Sequence, residues 1–135
     1  MKPSCEIIFL RVTDNESKIK RLTNGVHSHF CRGHRLMIAV ANDAAARYID
    51  QLLWRLPAES FMPHAISLQP AQEPIVISSS LKNLNGATVL FNLRPEAHPQ
   101  FSEYQIVYDL MDESDPSKHA QALQRQQGYP YSRLA

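Results

Sequence analysis

The sequence predicts an α/β fold, a single domain over residues 1–135 with a mostly parallel sheet flanked by helices. Short apolar runs of strand length alternate along the chain with longer segments of helical period. A strand–helix–strand–helix–strand order at this spacing requires right-handed crossovers, and so places neighbouring strands parallel. The composition is globular, with 44% hydrophobic and 20% charged residues. A chain of this length buries roughly two-thirds of its unfolded surface and needs no covalent staples.

The elements follow in order. "CEIIFLRV" (5–12) reads as a buried strand. Residues 16–33 read as a helix with Ile19, Leu22, Val26 and Phe30 as its apolar stripe; Thr13 and Glu16 suit a capping box, and Gly33 a C-terminal cap. "RLMIAVA" (35–41) is a second strand. Asn42 then caps a helix whose apolar face holds Ala45, Tyr48, Ile49, Leu52, Leu53 and Leu56, and Pro57 ends it. "HAISL", "PIVISS", "ATVLFNL" and "YQIVYDLM" (104–111) supply four more strands. Asp115-Pro116 opens a last helix that stops at Gly128. The loops at 68–74 and 94–100 are proline-punctuated connections within the domain, and the chain has no internal repeat or low-complexity segment.

Several function classes are disfavoured. A net charge of +1 argues against a sequence-independent grip on nucleic acid, so no direct DNA binding is expected. Two cysteines, Cys5 and Cys31, do not make a disulfide framework and suit a reducing, cytoplasmic compartment. The apolar run near the N-terminus is too short for a signal peptide, and nothing approaches a membrane span. The strand–helix turns "VTDNES" and "VANDAA" lack the glycines of a phosphate cradle. The expected topology is therefore mononucleotide-binding-like without a nucleotide site.

Three clusters invite chemistry. "HSHFCRGH" offers His27, His29, Cys31 and His34, and His27, Cys31 and His34 fall at i, i+4 and i+7 on a helix. Gly33 ends that helix before His34, so partly buried structural residues are the expectation and no metal or cofactor is. "SSS" (78–80) lacks the glycine-flanked elbow of a serine hydrolase. Asp109, Asp112 and Glu113 read as a strand exit and an acidic loop rather than a Mg²⁺ site. A small α/β enzyme or ligand-binding domain, with its site near Thr13, Asn42 and Asp109 at the C-terminal strand ends, is the alternative function.

The anomalous stretch is "QLLWRLPAESFMPH" (51–64). At about 100° per residue, Trp54 lies about 180° from Ala45, off the core-facing stripe. One turn later a loop carries Phe61 and Met62 between Pro57 and Pro63. Either Phe61 folds back over Trp54 as a satellite cluster, or the two form an outward docking patch of the kind that anchors interfaces.

This stretch, with the "RLMIAV" strand before it, resembles the chi-subunit family of the bacterial DNA polymerase III holoenzyme. The resemblance rests on Arg35, Ile38, Ala39, Leu53, Trp54, Pro57, Phe61, Pro63 and His64, and extends in outline over most of the chain. It implies a non-catalytic adaptor. One surface of such an adaptor holds the psi subunit, which bridges to the clamp loader, or a helicase partner. A second binds the acidic, phenylalanine-terminated tail of single-stranded DNA-binding protein. Trp54, Pro57 and Phe61 match the psi-facing anchors. The tail needs a small apolar pocket ringed by cations. Residues 101–115 carry five acids and no base, whereas 116–135 carry Lys118, Arg125 and Arg133 and no acid. Lys118 matches one family cation, but Gln121 and Ala122 stand where an aromatic and a second cation are expected. That departure moves the expected tail site toward Arg125 and Tyr129, and the residues expected to bind the tail are Lys118, Arg125, Tyr129 and Arg133.

Overall fold

The computed structural model describes residues 4–135. The chain runs β1 (Glu6–Val12), α1 (Asn15–Cys31), β2 (Leu36–Ala39), α2 (Asp43–Arg55), β3 (His64–Ile66), β4 (Ile75–Ser78), β5 (Val89–Asn92), a single 3₁₀ turn (Phe101–Glu103), β6 (Ile106–Asp112), α3 (Pro116–Gln127) and β7 (Arg133–Leu134). The strands form one seven-stranded sheet in the order β3-β4-β2-β5-β6-β1-β7. Every strand pair is parallel.

A parallel sheet covered on both faces needs strands that are apolar throughout. β2 (LMIA), β4 (IVIS) and β5 (VLFN) are buried at every residue and apolar but for Ser78 and Asn92 at the C-terminal ends of β4 and β5. Alternate side chains feed two cores, a front core under α1 and α2 and a back core under α3. Leu36, Ile38, Ile75, Ile77, Val89 and Phe91 face α1 and α2. Met37, Ala39, Val76, Leu90, Val107 and Met111 face α3 and the loops beside it, where Ala122 and Tyr129 pack. Gly25 lets α1 come close to the sheet, since a Cβ there would lie 3.0 Å from the Phe91 ring.

All the strands and helices anticipated from the sequence are present, with differences in detail. The cap of α1 sits one residue later than Thr13: the Asp14 carboxylate accepts the Ser17 N–H at 2.6 Å, and Ser17 Oγ accepts the Asp14 N–H at 3.2 Å. The observed box satisfies the amides one residue further on, and the aspartate is the stronger acceptor. Gly33 follows the last turn at φ +80°, the left-handed position in which glycine carries no Cβ penalty. On α2, Asn42 caps as expected, but Ala46 joins the core while Tyr48 is half exposed at its edge. β7 has only two residues, both exposed, and carries no apolar run that would announce it.

α1 packs over β1 and β2, whereas α2 packs over β3 and β4. The helices therefore diverge above the C-terminal ends of the central strands, where open α/β sheets leave a crevice.

Candidate functional site

Two surfaces stand out, both built on α2. The first is the knuckle that follows it. Leu56 leaves helical geometry at φ −131°, ψ 140°, the extended region imposed on a residue before proline. It packs on the core, while Pro57 behind it is half-buried. The loop then sends its two large apolar side chains in opposite directions. Met62 is 1% exposed and joins the front core, while its neighbour Phe61 is 83% exposed. Phe61 sits at φ +48° and Glu59 at φ +62°, conformations that cost a non-glycine residue about 1–3 kcal/mol. Trp54 is 63% exposed. Its ring rests on His64, with centroids 4.4 Å apart, and its Nε1–H donates to Asp50 Oδ2 at 3.2 Å. Phe61 does not cover it, so the outward patch is the arrangement observed.

The second surface is a cavity of about 370 Å³ between α1, α2 and α3 at the C-terminal edge of the sheet. Ile19, Leu22, Ile49, Leu52 and Leu110 make an apolar floor, and Lys18, Arg94, Lys118 and Arg125 stand round it. These cations differ in how far they are engaged. Lys18 pairs with Asp112 at 2.8 Å. Burial opposes the charge on Asp112, but hydrogen bonds from Lys18 and Ser114 outweigh it and hold the carboxyl at a pKa of about 2. Arg125 donates to Asp109 at 2.9 Å and to the Leu110 carbonyl at 2.8 Å. Burial raises the Asp109 pKa, and Arg125 and Asn92 offset part of that rise. Lys118 has no ion-pair partner among the described residues. Arg94 donates from Nη2 to Glu96 at 3.3 Å, but its buried Nη1 has no partner, and neither has the buried Oδ1 of Asn92 beside it. The cavity thus offers one unpaired ammonium, an apolar floor and the Arg94 guanidinium beside them. Those are the groups an amphipathic carboxylate requires.

The structure brings together two of the four residues expected at a tail site. Lys118 and Arg125 both line the cavity. Tyr129 lies on the far side of the sheet, packed edge-on to Phe9, and reaches Arg125 only through Asp109, to which its hydroxyl donates at 3.0 Å. Arg133 belongs to the edge strand β7 and pairs with Glu6 at 2.8 Å. Gln121 lines the cavity, whereas Ala122 is fully buried in the back core. Lys18, Arg94 and Tyr48 line the cavity without having been singled out in the sequence. Arg94 carried a usable signal, since it follows directly on an apolar parallel strand, where ligands of open α/β sheets bind.

The remaining chemical clusters resolve into structure. His27 Nε2 lies 3.3 Å from Cys31 Sγ, but His34 turns to His29, their Nδ1 atoms 2.9 Å apart. His29 is buried and hydrogen-bonded to Tyr108 at 2.7 Å. Desolvation, with Arg32 and His34 nearby, lowers its pKa to about 4. No group of three metal-ligating side chains forms among the described residues. Asp109, Asp112 and Glu113 are each engaged by a separate cation, Arg125, Lys18 and Arg11 respectively. Ser78 is buried and accepts the Ser80 N–H, while Asn42 serves as a helix cap and the Thr13 N–H donates to Ser17. Among the described residues, no helix is long and apolar enough to cross a membrane.

The family model described as DNA polymerase III chi subunit, HolC, matches residues 5–131. The chain belongs to the chi-subunit family. DNA polymerase III subunit chi of Pseudomonas aeruginosa is 26% identical over 103 residues, 73% of this chain and 72% of that protein. DNA polymerase III subunit chi of Haemophilus influenzae is 32% identical over 97 residues, 69% of this chain and 66% of that protein. The span matched to the chi family takes in both the knuckle and α3. Within the chi-like motif, Arg35 serves the fold itself. It donates to the carbonyls of Asn85 (2.7 Å), Gln72 (2.5 Å) and Glu73 (3.1 Å), tying two loops to the N-terminal edge of the sheet.

Proposed function

We propose that this chi-family protein is a non-catalytic replisome adaptor that joins two partners through the two surfaces carried by α2. Its membership gives it a replication accessory role with DNA polymerase III. The observation that carries the finer reading is the joint exposure of Trp54 and Phe61. Two large aromatics held in solvent, one of them on a backbone in the left-handed region, have no folding purpose, since burying them would stabilise the chain by about 1.5–3 kcal/mol each. Aromatic anchors of this kind concentrate binding energy. Trp54, Pro57 and Phe61 accordingly dock the psi subunit, which links chi to the clamp loader, or a helicase partner in its place.

The cavity takes the second partner, the acidic tail of single-stranded DNA-binding protein. The terminal phenylalanine ring enters the apolar floor, and its carboxylate meets Lys118 and the guanidinium of Arg94. Arg125 stays with Asp109 and shapes the wall. Lys18 and Arg94 supply the positive field that Gln121 and Ala122 do not. Tyr129 and Arg133 act at a distance or not at all.

The test is a fluorescence-anisotropy titration with an acidic peptide ending in Pro-Phe, at low and moderate salt, beside a peptide lacking the final phenylalanine. Saturable binding that requires the terminal residue and weakens with salt is expected. Absence of binding at low salt would remove the tail partner and leave the knuckle as the docking surface.

A further inference from the structure

Beneath the knuckle lie two polar side chains that both contact Trp54, and one of them also meets the loop residue after Phe61. His64, the first residue of β3, has a side chain with no solvent exposure. Its Nδ1 lies 2.7 Å from the Met62 carbonyl, and its Nε2 lies 3.2 Å from both Oδ1 and the carbonyl oxygen of Asp50. The other carboxylate oxygen of Asp50 accepts the indole N–H of Trp54, one helical turn further along α2. The Trp54 ring completes the circuit by resting on the imidazole. One buried histidine and one carboxylate therefore reach Trp54 directly, and reach Phe61 through the carbonyl of the residue that follows it.

We infer that Asp50 and His64 are positioning residues for the docking surface, fixing Trp54 and Phe61 in their outward poses before a partner arrives. The inference rests on the docking reading of the knuckle and specifies the partner chemistry. The indole N–H is already satisfied within the chain, so the partner meets Trp54 through its ring. What fits is an apolar side-chain cluster with no acceptor required for the indole nitrogen. Holding the ring in place also removes an ordering cost from association, since immobilising a side chain on binding costs about 0.5–1.5 kcal/mol.

Trp54 is the sole tryptophan of the chain, so intrinsic fluorescence reports on it alone. In Asp50→Ala the steady-state anisotropy of Trp54 should fall and its emission move to the red, with the fold retained, because the backbone carbonyl of residue 50 still meets His64 Nε2. Asp50→Asn keeps an oxygen acceptor for the indole and should restore the parental anisotropy. Binding of purified psi should weaken about three- to tenfold in Asp50→Ala and recover in Asp50→Asn. His64→Gln extends the test to the loop, and the Asp50 pair carries it should that variant fail to fold. An unchanged anisotropy in Asp50→Ala, or equal loss in Asp50→Ala and Asp50→Asn, overturns the inference alone. A Trp54→Ala variant that binds psi as tightly as the parent overturns the docking reading, and the inference with it.

Discussion

Trp54 and Leu52 lie two residues apart on α2, yet one stands in solvent beside Phe61 and the other floors the cavity. The knuckle pushes apolar side chains outward on a loop held in an unfavourable backbone conformation, with its polar groups tucked underneath. The cavity does the reverse, drawing apolar side chains inward and leaving cations at the rim. One amphipathic helix can thus support two kinds of recognition. A partner at the knuckle gains by burying area, which salt barely affects. A ligand at the cavity gains from charge-assisted hydrogen bonds, which salt screens.

The most severe test of the contrast lies inside the knuckle. Met62→Ala should lose about 2–5 kcal/mol of stability in urea denaturation, as for other buried side chains cut to alanine. Phe61→Ala and Trp54→Ala should leave the denaturation midpoint close to that of the parent while removing about 2 kcal/mol or more of psi affinity by calorimetry. If Trp54→Ala unfolds the protein, the separation of anchor from core is wrong. Next comes the cavity. Lys118→Ala and Arg94→Ala should each weaken tail-peptide binding about tenfold, since a hydrogen bond to a charged group contributes about 1.5–3 kcal/mol. Neither substitution should alter psi affinity. Salt sharpens the same distinction, because raising ionic strength to about 1 M shortens the screening length to about 3 Å and should abolish peptide binding while sparing psi.

The smallest effect concerns the scaffold that both surfaces share. His29 and His98 are held at pKa values of about 4, His29 by burial and then Arg32 and His34, His98 by burial and then Arg94. Their ordinary value is 6.5, so the unfolded chain takes up protons before the folded one does. Stability tied to these neutral imidazoles is complete above that value and drains as pH falls through about 4. A combined His29→Gln, His98→Gln variant should show a flatter dependence of melting temperature on pH across that window. An unchanged slope would place the acid sensitivity elsewhere.

Much of this architecture can be read from the residues. The alternation of apolar runs with helical stripes gives the parallel sheet, because each central strand must be buried on both faces. The outward placement of Trp54 follows from its angle on α2 alone. What periodicity cannot reach is any choice made by a single residue in a loop. Phe61 and Met62 are equally apolar, and only backbone geometry at φ +48° sends one out and the other in. The cavity was hidden for another reason: Lys18, Arg94 and Lys118 come from three elements far apart in the chain, and only sheet order brings them together. Tyr129 and Arg133 looked alike in sequence, both lying just past the last helix. They part because the chain crosses from the back core to the sheet edge within four residues.

The rigidity of α2 also bears on assembly. Ala45 at the cavity and Trp54 at the knuckle are nine residues apart, roughly 14 Å along the axis at about 1.5 Å per residue. Two chains held at the ends of so short a ruler cannot separate by diffusion while both stay bound. Recapture at an effective concentration on the order of millimolar would follow release only if the two partners were themselves joined, since a free partner diffuses away whatever the other site holds. Joined partners would gain residence from two modest affinities, whereas separate ones would each leave at their own rate.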